Sequence, residues 1–281
     1  MAEVNSEAAE LYLDLMKKCL TRVIFPESYR PVKTRPTMRL HPIAWAIYPL
    51  VTSILTKMNL KMFLKVPFDQ AIRADGKDWP AEAETMIGLK RLDNLQYCVT
   101  ESIRKNVPGD CIETGVWRGG ASIFMRAVLK AYGDNTRLVW LADSFQGLPK
   151  PDGRYPQDEG DQHWEFSHTL GISLEQVKAN FARYGLLDER VRFLPGWFKD
   201  TLPGAPINQL AVLRLDGDMY ASTMDALRSL YHKLSPGGYL IIDDYALPNC
   251  KRAVDDFRAE HQMTEQVNQI DGSGVFWEKL H

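Results

Sequence analysis

From residue 81 onward the apolar positions of the chain switch repeatedly between two periods. Met86, Leu89, Leu92, Leu95, Val99 and Ile103 recur at helical spacing until Val107-Pro108-Gly109 breaks the run. A short strand at 111–113 follows, then a glycine-rich turn and a helix over 121–132. The pattern next predicts a strand over 137–142 and a helix over 173–184, opened by a capping box from Ser173 to Gln176. Strands at 191–194 and 210–215 come next; the second reads LAVLRL, nearly all apolar, as strands buried on both faces of a parallel sheet do. A helix over 222–234, a strand over 239–242 and a helix over 250–260 precede two final strands about Asp271-Gly272, a dipeptide that favours a hairpin. This alternation predicts an α/β fold with a mostly parallel, doubly wound sheet and an antiparallel edge strand at the C-terminus. Such sheets bind ligands beyond the carboxyl ends of their strands.

The first 80 residues differ in character. Leu11, Leu15, Cys19 and Leu20 mark one face of a helix that Pro26 stops, and further prolines at 31, 36, 42, 49 and 67 predict short pieces wrapped on the main domain. The expected division is a helical N-terminal extension or lid over 1–80 and a main α/β domain over 81–281. Ile43 to Leu55 is apolar but shorter than the roughly 20 residues of a membrane span, and Pro49 interrupts it. It reads as a buried segment or subunit contact, with a surface-lying or partner-docking segment as the alternative, so a homo-oligomer, in the simplest case a dimer, is expected, with no membrane span.

Composition narrows the partners. Among 281 residues, 34 Lys and Arg against 36 Asp and Glu leave a formal charge of −2, without the basic excess that nucleic acid requires. A small-molecule substrate is the expectation. Cys19, Cys98, Cys111 and Cys250 lack zinc spacing and sit among apolar neighbours, and residues 1–10 are polar; a cytoplasmic chain with reduced thiols is expected.

The unusual residues fall at the predicted strand ends. Glu113-Thr114-Gly115-Val116-Trp117-Arg118-Gly119-Gly120 is a strand–turn–helix pocket, but Trp117 and Arg118 between the glycines suit no pyrophosphate cradle. An acid at the strand end suits a cationic or amino-bearing ligand, and Gly115 admits close approach. Asp143, beside Ser144 at the next strand end, has the chemistry to accept two ribose hydroxyls. The two acids together favour S-adenosylmethionine over a nicotinamide dinucleotide, although each loop taken alone also fits an ordinary tight turn. In Gly196-Trp197-Phe198 an aromatic ring follows a strand, placed either against a purine or in the core.

Asp216-Gly217-Asp218 and Asp243-Asp244 each stand directly behind an apolar strand. Four carboxylates in one cleft would raise one another's pKa values unless a cation sits among them, and an all-oxygen set selects Mg²⁺. On this reading only a bound divalent ion makes the cluster tolerable. Residues 145–166, polar and rich in Gly and Pro, predict a structureless lid or substrate loop. Within and just after it, His163 and His168 have no partner at a defined spacing and read as surface or capping residues.

At these residues the chain resembles the macrocin O-methyltransferase (TylF-type) family, which methylates sugar hydroxyls of macrolide and aminocoumarin antibiotics. The likeness runs through Leu11 to Leu15, Asp78-Trp79-Pro80, Met86 to Leu95, Glu113 to Gly120, Asp143-Ser144-Phe145, Gly196 to Pro203, Asp216 to Tyr220 and Asp243-Asp244-Tyr245; residues 32–68 do not match the pattern. The resemblance implies a Rossmann-like class I methyltransferase fold with a seven-stranded sheet. It implies Asp216, Asp243 and Asp244 as Mg²⁺ ligands and Asp218 as general base. Glu113, Thr114, Gly115 and Ser122 would hold S-adenosylmethionine, as would Asp143, Ser144, Gly196, Trp197 and Asp216, with Asp143 on the ribose. Catechol O-methyltransferases carry a lysine base shortly after the metal-binding acid; Asp218, Met219 and Tyr220 here point instead to a sugar-type hydroxyl acceptor. A phenolic acceptor, or a non-catalytic S-adenosylmethionine-binding protein, remains the alternative.

Overall fold

A computed structural model describes residues 6–26, 29–31, 42–65 and 67–281. The N-terminal part contains α1 (Ser6–Leu20), β1 (Tyr29–Pro31), α2 (Pro42–Lys57), β2 (Phe63–Lys65) and α3 (Gln70–Ala74), with β1 and β2 paired antiparallel. The main part runs α4 (Leu89–Arg104), β3 (Asp110–Thr114), α5 (Gly120–Ala131), β4 (Val139–Asp143), α6 (Ser167–Leu170), α7 (Leu174–Arg183), β5 (Val191–Pro195) and α8 (Phe198–Thr201). It continues through β6 (Leu210–Leu215), α9 (Tyr220–Leu230), β7 (Leu234–Ile242), α10 (Pro248–Glu260), β8 (Asn268–Gln269) and β9 (Val275–Glu278).

The seven main strands lie in the order β5-β4-β3-β6-β7-β9-β8. The first five are parallel; in the closing hairpin β9 runs antiparallel to both β7 and β8, so one strand is reversed as expected, but it stands second from the edge, which β8 forms. Chain order reverses between β3 and β6, which opens a crevice at their carboxyl ends. Because successive strand residues face opposite sides, Cys111, Val139, Leu141, Val212 and Ile241 pack with α1, α4, α5 and α7, whereas Ile112, Trp140, Leu213, Leu215 and Ile242 pack with α9 and α10. Burial on both faces explains the nearly all-apolar reading of β6.

Several boundaries and faces shift. Residues 86–88 stand outside α4, whose N-cap is Gly88, and the expected helix over 222–234 begins at Tyr220 and ends at Leu230. Ser173 caps α7 through the Gln176 N–H, but the Gln176 side chain turns to Asn180, so only half of the capping box forms. In α1 the buried residues are Ala9, Leu13, Met16 and Leu20, whereas Leu11 and Leu15 are exposed. Packing against α4 and α5 decided which of two overlapping apolar stripes went inside, and full burial of Leu13 contributes about 1.5–3 kcal/mol. The expected N-terminal extension thus places its first helix in the main core. Pro49 stays inside α2, which exposes Ile47, Leu50 and Ile54 rather than burying them. Pro36 and all of the unmatched stretch before residue 42 lie outside the described residues. No helix among the described residues is long and apolar enough to cross a membrane.

Residues 145–166 are not structureless: 3-10 turns form at Pro156–Asp158 and His163–Phe166. The Asp158 carboxylate, almost fully buried, accepts from the N–H groups of Tyr220 (2.9 Å) and Ala221 (2.8 Å), supplying the cap that Met219 cannot give α9.

Candidate active site

A cleft of about 900 Å³ opens at the carboxyl ends of the parallel strands. Its floor is set at one glycine. Gly115 has φ +85°, and a Cβ there would stand 1.7 Å from the carbonyl oxygen of Asp216. Asp218, with φ +56°, is one of few non-glycine residues in the left-handed region; its N–H donates to Asp244 Oδ2 at 3.0 Å, which ties the two acidic loops together.

Asp216, Asp243 and Asp244 each bring a carboxylate oxygen to within 4.8 Å of the others, and Asp218 lines the same cleft. Their neutralisation departs from expectation, because two arginines already stand among the acids. Arg214, fully buried in β6, bonds Glu113 Oε1 (2.5 Å), Asp216 Oδ2 (2.8 Å) and Asp243 Oδ1. Arg91 of α4 bonds Asp243 Oδ2 and lies 3.0 Å from Asp271 in the closing hairpin. Strand parity explains the grouping: Glu113, Arg214 and Asp243 share the face that carries α4 and α5, at neighbouring positions of β3, β6 and the end of β7. The sequence signal was present, since a single Arg in LAVLRL demands buried acids nearby.

The guanidinium groups offset only part of the charge, since Glu113, Asp216, Asp218, Asp243 and Asp244 outnumber Arg91 and Arg214. Burial pushes Asp218 up to about 7, with the charge of Asp216 adding to it. Burial, then the charges of Asp218 and Asp216, raises Asp244 well above the carboxylate range; burial and Asp243 raise Asp216. Burial also lifts Glu113 to about 7 against the pull of Arg214. Hydrogen bonds leave Asp216 Oδ1 and Asp244 Oδ1 without a protein partner among the described residues. An all-oxygen set with a residual negative charge fits a hard divalent cation.

The other expected ligand residues divide into two groups. Gly115, Asp143, Ser144, Trp197 and Asp216 line the cleft. Asp143 accepts from Val116 N–H (2.7 Å) and Phe145 N–H (2.6 Å), and burial nonetheless raises its pKa. Ser144 bonds within its own turn, to Gly147 and Gln146. Glu113 reaches the cleft only as the acid beneath Arg214, with Ser122 donating to it from behind. Thr114, Ser122 and Gly196 stand outside the lining. Gly196 instead fixes its loop: its N–H donates to Asp143 carbonyl (2.8 Å), and a Cβ would meet Thr201 at 2.6 Å. Spacing alone missed Arg91, Arg214 and a third cleft residue, His163, whose partner is two residues away.

Comparison with known proteins agrees with this geometry. A family model described as Macrocin-O-methyltransferase (TylF) matches residues 9–279. The chain is 51% identical over 276 residues, covering 98% of itself and 94% of the relative, to 8-demethyl-8-(2,3-dimethoxy-alpha-L-rhamnosyl)-tetracenomycin-C 4'-O-methyltransferase of Streptomyces olivaceus. It is 45% identical over 277 residues, 98% of each chain, to mycinamicin III 3''-O-methyltransferase of Micromonospora griseorubida. The solved structure of the O-methyltransferase NovP superposes with a TM-score of 0.82 at 44% identity, covering 97% of this chain and all of that one.

Proposed function

The chain belongs to the macrocin O-methyltransferase (TylF) family and is an S-adenosylmethionine-dependent O-methyltransferase, and from this premise we propose that it methylates a sugar hydroxyl of a glycosylated, antibiotic-type natural product. One observation carries the reading: near-full-length similarity to two enzymes of that kind coincides with an acid cluster at the cleft floor. S-Adenosylmethionine would lie along Gly115, Asp143, Ser144 and Trp197, with Asp143 accepting the ribose hydroxyls through the lone pairs its backbone bonds leave unused. Glu113 and Ser122 would support that wall from beneath. Asp216, Asp243 and Asp244 would hold Mg²⁺, which when bound supplies the positive charge that makes a nearby hydroxyl more acidic.

Asp218 is the general base of this proposal. Its left-handed backbone and its N–H bond to Asp244 hold it beside the metal ligands, and a buried carboxylate among like charges is a willing proton acceptor. The acceptor O–H bond breaks toward Asp218, the oxygen takes the methyl group, and adenosylhomocysteine leaves. Arg91 and Arg214 keep Asp243 and Asp216 in place. Residues 156–166, pinned by Asp158 to α9, exclude water from one side.

The exposed apolar residues Leu11 and Leu15 of α1 and Ile47, Leu50 and Ile54 of α2 support a homodimer. A monomeric mass at micromolar concentration would exclude it. The activity is tested by incubating the chain with S-adenosylmethionine, Mg²⁺ and either mycinamicin III or the rhamnosyl-tetracenomycin, and locating the added methyl group by fragmentation mass spectrometry. Transfer to the sugar is expected. Transfer to a catechol with none to either glycoside would overturn the acceptor class.

A further inference from the structure

The turn over His163–Phe166 carries an imidazole, paired with a carboxylate two residues before it, that the mechanism above does not use. Asp161 Oδ1 accepts from the backbone N–H of His163 (2.8 Å) and lies 2.7 Å from its Nδ1. The other oxygen of Asp161 accepts from Asn249 Nδ2 at 2.8 Å. The Asp161 side chain is 2% exposed, whereas that of His163 is 41% exposed and lines the cleft with Asp218 and Asp244. His168, by contrast, bonds the Glu165 carbonyl at 3.0 Å and stays outside the lining.

Chemistry fixes the tautomer of this ring. A carboxylate only accepts, so Nδ1 must carry its hydrogen toward Asp161, and the lone pair of the neutral ring is left on Nε2. No partner for Nε2 is found among the described residues. A buried acid that orients an imidazole whose far nitrogen meets a ligand is a recurrent device.

The pair is also tied to both acidic loops. Asn249 stands in the first turn of α10, just after Asp243-Asp244-Tyr245. Asp158, three residues before Asp161, caps α9 just after Asp218.

We propose that His163 is an acceptor-positioning residue: its Nε2 accepts a hydrogen bond from a hydroxyl of the acceptor next to the one that Asp218 deprotonates, while Asp161 and Asn249 hold the ring in the required tautomer and direction. This inference rests on the sugar-hydroxyl reading. Neighbouring hydroxyls of a sugar can be held at two points, by His163 from the lid side and Asp218 from the floor, and that grip selects which hydroxyl meets the methyl donor. A lone phenolic hydroxyl would leave Nε2 unused.

The test measures binding of mycinamicin III and of the rhamnosyl-tetracenomycin to the full chain with adenosylhomocysteine and Mg²⁺ present, by calorimetry. His163→Phe should weaken binding of the acceptor about five- to tenfold, the loss of one hydrogen bond, with adenosylhomocysteine affinity unchanged. His163→Gln, whose amide oxygen can stand near the Nε2 position, should recover most of that loss. Asp161→Ala removes the acceptor that faces Nδ1 and with it the hold on the ring's tautomer and direction, so acceptor binding should fall with the ring still present. Nitrogen-15 spectra should show the neutral His163 ring protonated on Nδ1 in the wild type and mainly on Nε2 in Asp161→Ala. Undiminished acceptor binding in His163→Phe, or a wild-type hydrogen on Nε2, overturns the inference, and the spectrum decides even if a variant fails to fold. If neither glycoside binds the wild type while adenosylhomocysteine does, the sugar-acceptor reading itself has failed and this inference falls with it.

Discussion

Gly115 and Asp216 meet across the crevice between β3 and β6 so closely that a single methyl group on Gly115 would overlap the Asp216 carbonyl oxygen, at 1.7 Å. The contact is backbone to backbone, so no side-chain rotation relieves it. It joins the turn proposed to hold S-adenosylmethionine to the first of the acids proposed to hold Mg²⁺.

Gly115→Ala should therefore force the two loops apart. The left-handed φ alone costs about 1–2 kcal/mol for a non-glycine residue, and the overlap adds to it. A lower melting temperature is expected together with loss of adenosylhomocysteine binding, read by differential scanning fluorimetry and calorimetry. A variant with wild-type values for both would show that the crevice is wider than described.

Arg214→Met keeps the apolar stem but strands Glu113 and Asp216 and leaves Asp243 with Arg91 alone. Removing one partner from a buried ion pair costs roughly 3–5 kcal/mol. Urea unfolding should show a loss of that order, whereas a solvent-exposed pair such as Arg228–Glu260 (3.1 Å) should change stability by about 1 kcal/mol or less when broken.

Asp218→Asn should cut turnover by about 10²–10⁴-fold and leave Mn²⁺ and adenosylhomocysteine binding close to wild type. Asp244→Asn should do the opposite in order, lowering Mn²⁺ affinity first. Chelation should abolish turnover and added Mg²⁺ restore it. Equal loss of metal binding in both variants would move Asp218 from the role of base to that of ligand.

Asp158→Ala removes two bonds to the start of α9 and frees residues 156–166. A loss of about 0.5–2 kcal/mol is expected, the usual range for a helix cap. If the segment covers the acceptor, KM for the acceptor should rise while KM for S-adenosylmethionine stays unchanged in steady-state kinetics.

Apart from the one-turn helices α6 and α8, which carry no apolar stripe, the order of strands and helices from residue 89 to the C-terminus was legible in the sequence, because a parallel sheet buried on both faces imposes nearly all-apolar strands and helical apolar stripes between them. The acids at the strand ends were legible for the same reason: a polar residue directly behind an apolar strand has to face the crevice. Which stripe of α1 went inward was not legible, since Leu11 and Leu15 are as apolar as Leu13 and Met16, and the choice was made by the helices they met. The arginines that neutralise the acids could not be located either. Arg91 lies 152 residues from Asp243 along the chain, and Arg214 bonds acids on two other strands. The local pattern fixes which residues face a common side; only the register between strands and the packing of α4 decide which opposite charges touch. His163 gained its partner in the same way, from a turn whose shape depends on α9 and α10 holding Asp158 and Asp161 in place.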